Sequence, residues 1–101
     1  NMDPKTLQWA ETQSKLYQVL TNPIRVLILR TLSCTEMSVS EISATVGSSM
    51  QNTSQHLRLM KDRGLLESRR DGQTIFYRIR DWALLNSLGI NTTDPSDSTH
   101  I

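Results

Sequence analysis

A chain of 101 residues, 37% hydrophobic and 21% charged, suffices for one modest core but not for two, so a single globular domain is expected. Its longest aliphatic run, Val26-Leu27-Ile28-Leu29, is far too short to cross a bilayer, no signal-peptide pattern opens it, and the lone Cys34 cannot close an internal disulfide. The expected compartment is therefore the cytoplasm. The net charge of +1 conceals an asymmetry. Residues 1–57 hold four basic and four acidic groups, residues 58–80 hold seven basic against three acidic, and residues 81–101 hold three acids alone. Positive charge is thus gathered in one segment, where contact with phosphate would need it; a solvated face with scattered salt bridges would give the same count.

In chain order, Asp3-Pro4 has the N-cap and first-turn residues of a helix running to about Leu20. This helix carries two apolar stripes, Trp9, Leu16 and Leu20 on one side, Ala10 and Tyr17 with Leu7 nearby on the other. One stripe suffices to dock a helix on its own domain, so the surplus points to a second copy of the chain. Asn22-Pro23 repeats the cap signal for a second helix through Ile24, Leu27 and Ile28 to about Leu32. Ser38 and Glu41 have the spacing of a capping box, and Val39, Ile42 and Val46 form the buried side of a short third helix ended by Gly47. Ser48 or Ser49 caps a fourth helix with the buried stripe Thr53, Leu57 and Met60, stopped by Gly64. Only the turn Gly47-Ser48-Ser49 separates these two helices, as in a helix-turn-helix. Leu65–Arg70 and Thr74–Arg80 read as strands of a hairpin around Asp71-Gly72-Gln73, with Ile75, Tyr77 and Ile79 on the buried face. Asp81 caps a last short helix, Trp82 to Leu88, closed by Gly89; two turns must dock on something to persist. Residues 91–101 are polar and without period, a flexible tail. The expected fold is mainly α with a small β-hairpin, a winged helix-turn-helix in the order α-α-α-α-β-β-α over residues 1–90.

The fourth helix is the candidate reader of double-stranded DNA. At about 100° per residue, Gln51, Gln55 and Arg58 lie opposite the buried stripe, with Asn52 and Ser54 on the flanks. A side-chain amide donates and accepts together, as the major-groove edge of adenine requires. Residues 49–57 contain no Asp, Glu, Lys or Arg, unlike an ordinary surface helix. Ser49 and Ser54 can reach phosphate or base edges. Arg69, Arg70 and the turn residue Gln73 sit at the hairpin tip, where arginine can hold phosphate or enter a minor groove; strand alternation need not aim both arginines at DNA, and either could instead pair with Glu67 or Asp71. His56, beside the buried stripe, has no ligands among its sequence neighbours and reads as a structural or DNA-proximal histidine. Cys34 is a candidate thiol sensor, though one cysteine alone is also simply a turn residue.

The segments NPIRVLILRTL and EMSVSEISATVGSSMQNTSQHLRLMKDRGLLESRRDGQTIFYRI together resemble the arsenic-repressor (ArsR-type) group of winged-helix regulators, the likeness covering about residues 16–80. The resemblance implies a homodimeric transcriptional repressor, joined through its first and last helices and released from operator DNA by an inducer. That adds Trp82 and Leu85 to Leu7, Trp9, Leu16 and Leu20 as interface residues. Metal-sensing members of the group carry a Cys-x-Cys pair where this chain has Ser38 and Ser40, and serine hydroxyls are poor ligands for soft metals. The last helix offers Asp81 and no histidine, and His100 lies in the tail. No metal or other cofactor is therefore expected, and a small-molecule inducer is left open. A winged-helix module that docks a protein instead of DNA is the alternative reading. Paired catalytic carboxylates, a nucleophile–base constellation and a phosphate-binding glycine loop are all missing from the sequence, which argues against an enzyme.

Overall fold

The computed structural model describes residues 2–33 and 35–87, with the backbone alone at residues 83, 84 and 87. Cys34, the stop expected at Gly89 and the tail 91–101 lie outside the described residues. In chain order these form α1 (Pro4–Val19), α2 (Pro23–Thr31), β1 (Met37–Ser38), α3 (Val39–Val46), α4 (Met50–Asp62), β2 (Leu66–Asp71), β3 (Thr74–Ile79) and α5 (Trp82–Ser87). The expected order lacked β1. This strand has two residues, pairs antiparallel with β3 through Met37↔Tyr77 and Ser38↔Phe76, and makes the hairpin a three-stranded sheet in the order β1-β3-β2.

Most helix boundaries follow from local chemistry. Asn22 Oδ1 accepts from the Ile24 and Arg25 amides at 2.9 and 3.4 Å, opening α2 ahead of Pro23. At α3 the capping box is complete: Ser38 Oγ accepts from the Glu41 amide at 3.2 Å, and Glu41 Oε1 accepts from the Ser38 amide at 2.9 Å. The Ser38 amide foremost, and the Ser38 side chain second, hold the Glu41 carboxyl below its usual range. Asp3 occupies the N-cap position of α1 and its carbonyl accepts from the Leu7 amide at 3.0 Å, but its side chain makes no cap bond, so Pro4 is the side-chain signal that starts the helix. Gly64, at φ 82°, lets the Leu65 amide fold back to the Met60 carbonyl at 3.0 Å and turns the chain into β2. In the wing, Asp71 pairs with Thr74, so the strands reach one residue further than expected on β2 and the loop is Gly72-Gln73 alone. Gly72 takes the positive φ (64°) that such a two-residue hairpin loop requires at its first position.

The core gathers Leu16 and Val19 of α1, Ile28 and Leu29 of α2 and Leu32 after it, Ile42, Leu57, Met60, Leu65, Leu66, Tyr77, Ile79 and Leu85. On α2 the buried pair is Ile28 and Leu29, with Ile24 partly covered and Leu27 exposed. All four positions from 26 to 29 are aliphatic, so composition could not choose the inward arc. The helices α2, α3 and α4 pack on one another, and α4 also rests on β2. Between α2 and α4 a polar link bridges the packing: Arg25 Nε donates to His56 Nδ1 at 3.1 Å, and Arg25 Nη1 reaches the Val19 carbonyl at 3.4 Å. Burial first, and the Arg25 charge second, push the His56 pKa below 6.5. Thr53 sits at the centre of the α4 stripe, fully buried, with its Oγ1 unpaired.

Two outcomes are expected. A buried hydroxyl without a partner is destabilising, so Thr53→Val should raise unfolding stability by about 1 kcal/mol, read as a higher thermal midpoint. For His56 the folded pKa lies below the unfolded one, so the unfolded chain binds the proton first as pH falls. Stability should be full above about 6.5 and decline below it. Thermal melts at pH 7.5 and 5.5 should show that decline in the wild type and a smaller one in His56→Asn, which keeps an acceptor for Arg25 but does not titrate.

Candidate nucleic-acid interface

The turn that launches α4 is built from hydroxyls. Ser43 Oγ donates to the Ser48 carbonyl at 2.5 Å, anchoring the turn to α3. Ser49 is the N-cap, its Oγ accepting from the Asn52 amide at 3.0 Å. The Asn52 side chain donates to Ser48 Oγ at 2.7 Å, so this amide is already oriented before any ligand arrives. Gln51 and Gln55 are exposed on the side of α4 away from Thr53, Leu57 and Met60, and neither makes a side-chain hydrogen bond within the described chain. Arg58 is exposed further along the helix, close enough to the wing to act on Tyr77. The Tyr77 hydroxyl is pushed up by burial, with Arg58 opposing and Asp62 adding to the rise.

Between the start of α4 and the wing tip lies a groove of about 410 Å³, floored by Val39, Met50 and Ile75 and edged by Ser54, Gln73 and Thr74. It joins the expected contact residues Ser54 and Gln73. Met50 is 54% exposed at the first turn of α4, an apolar group on the polar end of the helix that sequence reasoning missed.

The two wing arginines part company. Arg70 pairs with Ile75 across the ladder and so shares the inner side of the sheet, toward the groove. It is exposed and makes no ion pair among the described residues. Arg69 pairs with Phe76 and belongs to the outer side. Its guanidinium grips Glu36, with Nε 2.9 Å from each carboxylate oxygen and Nη2 2.7 Å from Oε1. The partner is neither Glu67 nor Asp71: Glu67 pairs with Arg78 at 2.8 Å. The signal for Glu36 was invisible in sequence because 33 residues separate the two groups.

The residues expected to join two copies also divide. Leu7 and Trp9 are 50% and 61% exposed on the first half of α1. Leu16 and Leu85 are 8% and 0% exposed and fill the chain's own core, with Leu20 and Trp82 packed against it. Leu16 and Leu85 are therefore removed from the surface a partner could use. The short α5 docks on the rest of its own chain through Leu85.

A family model described as a helix-turn-helix domain matches residues 20–69. The nodulation protein NolR of Rhizobium meliloti is 35% identical over 98 residues, which is 97% of this chain and 80% of that protein. The crystal structure of NolR from Sinorhizobium fredii superposes with a TM-score of 0.79 at 34% identity, covering 88% of this chain and 89% of that one. The solution NMR structure of the homodimeric winged helix-turn-helix DNA-binding domain Mb0332 from Mycobacterium bovis, a possible ArsR-family transcriptional regulator, gives a TM-score of 0.73 at 25% identity over 88% of each chain. Carrying the same helix-turn-helix and wing, this chain belongs to the ArsR family of DNA-binding transcriptional regulators.

Proposed function

We propose that the chain acts as a dimeric repressor of an inverted-repeat operator, with α4 in the major groove and the wing on the flanking backbone. The observation that carries this reading is the pairing of an uncharged, amide-bearing α4 face with Arg70 and Gln73 on the adjoining side of the wing. Gln51, Asn52 and Gln55 are the proposed base readers. Ser49, Ser54, Arg58, Arg70 and Gln73 hold phosphate. Two copies joined through Leu7 and Trp9 of α1 would set their recognition helices about one helical turn of DNA apart, roughly 34–36 Å. The homodimeric Mb0332 domain supports that arrangement. The place of action is the compartment that holds the DNA, the cytoplasm.

The releasing signal is proposed to be something other than a soft metal. Ser38, at one of the two positions where metal-sensing relatives carry cysteine, has its hydroxyl and its amide both engaged in the α3 capping box. A small-molecule inducer fits this reading without being identified by it.

Selection of a preferred duplex from a random pool, followed by binding in a salt titration, tests the division of roles. Gln55→Ala should cost about 1–3 kcal/mol on the preferred duplex and relax base preference there. Arg70→Ala should weaken binding to all sequences alike and reduce the salt slope by about 1. Equal losses on selected and random DNA for both variants would refute the assignment. Binding with no salt dependence would turn the reading toward a protein-docking module.

A further inference from the structure

Arg69 crosses the sheet. Phe76, in the central strand, has Arg69 of β2 as its ladder partner on one side and Ser38 of β1 on the other. The guanidinium carbon of Arg69 lies 4.5 Å from the Phe76 ring centroid, and past the ring the fork meets both oxygens of Glu36. With neighbouring strands about 4.8 Å apart, one side chain ties the outer strand of the wing to the segment entering β1. Three contacts act in the same direction: a planar fork on a carboxylate, a cation over an aromatic face, and a direct cross-strand pair.

What lies beyond the clasp gives it a consequence. Glu36 immediately precedes β1, and the last residue of β1, Ser38, is the N-cap of α3, which packs on α4. Two residues of strand pairing are little to hold a hairpin at a set angle. The clasp adds a side-chain tether to that pairing and to the packing of the wing base on α3 and α4, and it leaves Arg70 as the wing arginine on the groove side.

We infer that Glu36, Arg69 and Phe76 are positioning residues, a clasp that sets the wing against α4 so that Arg70 and Gln73 meet the duplex in register with the recognition helix. This rests on the reading of α4 and the wing as the DNA surface, and it assigns Arg69 away from phosphate. Electrostatics alone predicts the opposite sign for one variant. Glu36→Gln removes a negative charge and frees a guanidinium, which would tighten binding to a polyanion and, if Arg69 then neutralised a phosphate, steepen the salt slope by about 0.9. A clasp predicts weaker binding instead.

The experiment uses the full chain, its Glu36→Gln and Arg69→Lys variants, a random-sequence duplex in a salt titration, and NMR relaxation of the Gly72 and Gln73 amides without DNA. Lysine keeps the charge but loses the planar fork, so it should fail as a clasp yet serve as a phosphate contact. Both variants are expected to weaken binding about two- to fivefold, the range open to a partly exposed pair, with an unchanged salt slope and with looser amides at Gly72 and Gln73. Tighter binding by Glu36→Gln, a steeper slope, full binding by Arg69→Lys, or unchanged amide order would overturn the clasp. If the wild type binds duplex without salt dependence, the DNA reading fails instead, and the amide measurement still decides whether the clasp orders the wing.

Discussion

The backbone at Ser38 is the joint on which the relative placement of the helix pair and the wing depends. One residue ends a strand and begins a helix, and its groups are divided between the two tasks. Its hydroxyl and amide close the capping box with Glu41, while its place in the ladder opposite Phe76 ties it to the wing. A capped helix start has one entry direction, and a paired strand has one register. Because both constraints meet at a single residue, the direction of α3 and the attachment of the hairpin are not independent. The turn from α3 into α4 is fixed in the same way, by Ser43 on the Ser48 carbonyl and by Ser49 on the Asn52 amide.

Charge is distributed by the same geometry. Strand alternation sends Glu67, Arg69, Phe76 and Arg78 to the outer side of the sheet, where Arg69 and Arg78 each find a carboxylate. The inner side keeps Arg70 without one among the described residues. The positive excess of residues 58–80 is therefore partly spent on the sheet itself, and the field offered to a polyanion is narrower than the composition suggests. The α4 face contributes amides and hydroxyls, which recognise by donor and acceptor pattern more than by charge.

Much of this was legible in the sequence because it is written locally. Asn22-Pro23, the Ser38–Glu41 spacing, Gly64 and Asp71-Gly72 each act within a few residues, and the helices and hairpin follow them. Where the determinant is distant, local reading fails. β1 is two residues long, too short to show a period, and exists because β3 lies beside it. Glu36 has no partner nearby in sequence and gains one only where the wing brings Arg69 to it. Ile28 and Leu29 were indistinguishable from Val26 and Leu27 as side chains; the packing of α2 on its neighbours selects them. Leu16 and Leu85 were expected at a dimer interface, but both lie in the chain's own core, where the short α5 takes its contact at Leu85. The amides of α4 were legible as a surface because the buried stripe is regular, whereas Asn52's engagement with Ser48 depends on the conformation of the turn.

The first helix has a thermodynamic consequence of its own. α1 buries only Leu16 and Val19, both in its final turn, while Leu7 and Trp9 stand in water. A helix of this length gains little from its backbone alone. Within one chain, order in its early turns therefore has little packing behind it. If a second copy covers Leu7 and Trp9, the helical content of the chain becomes a function of protein concentration.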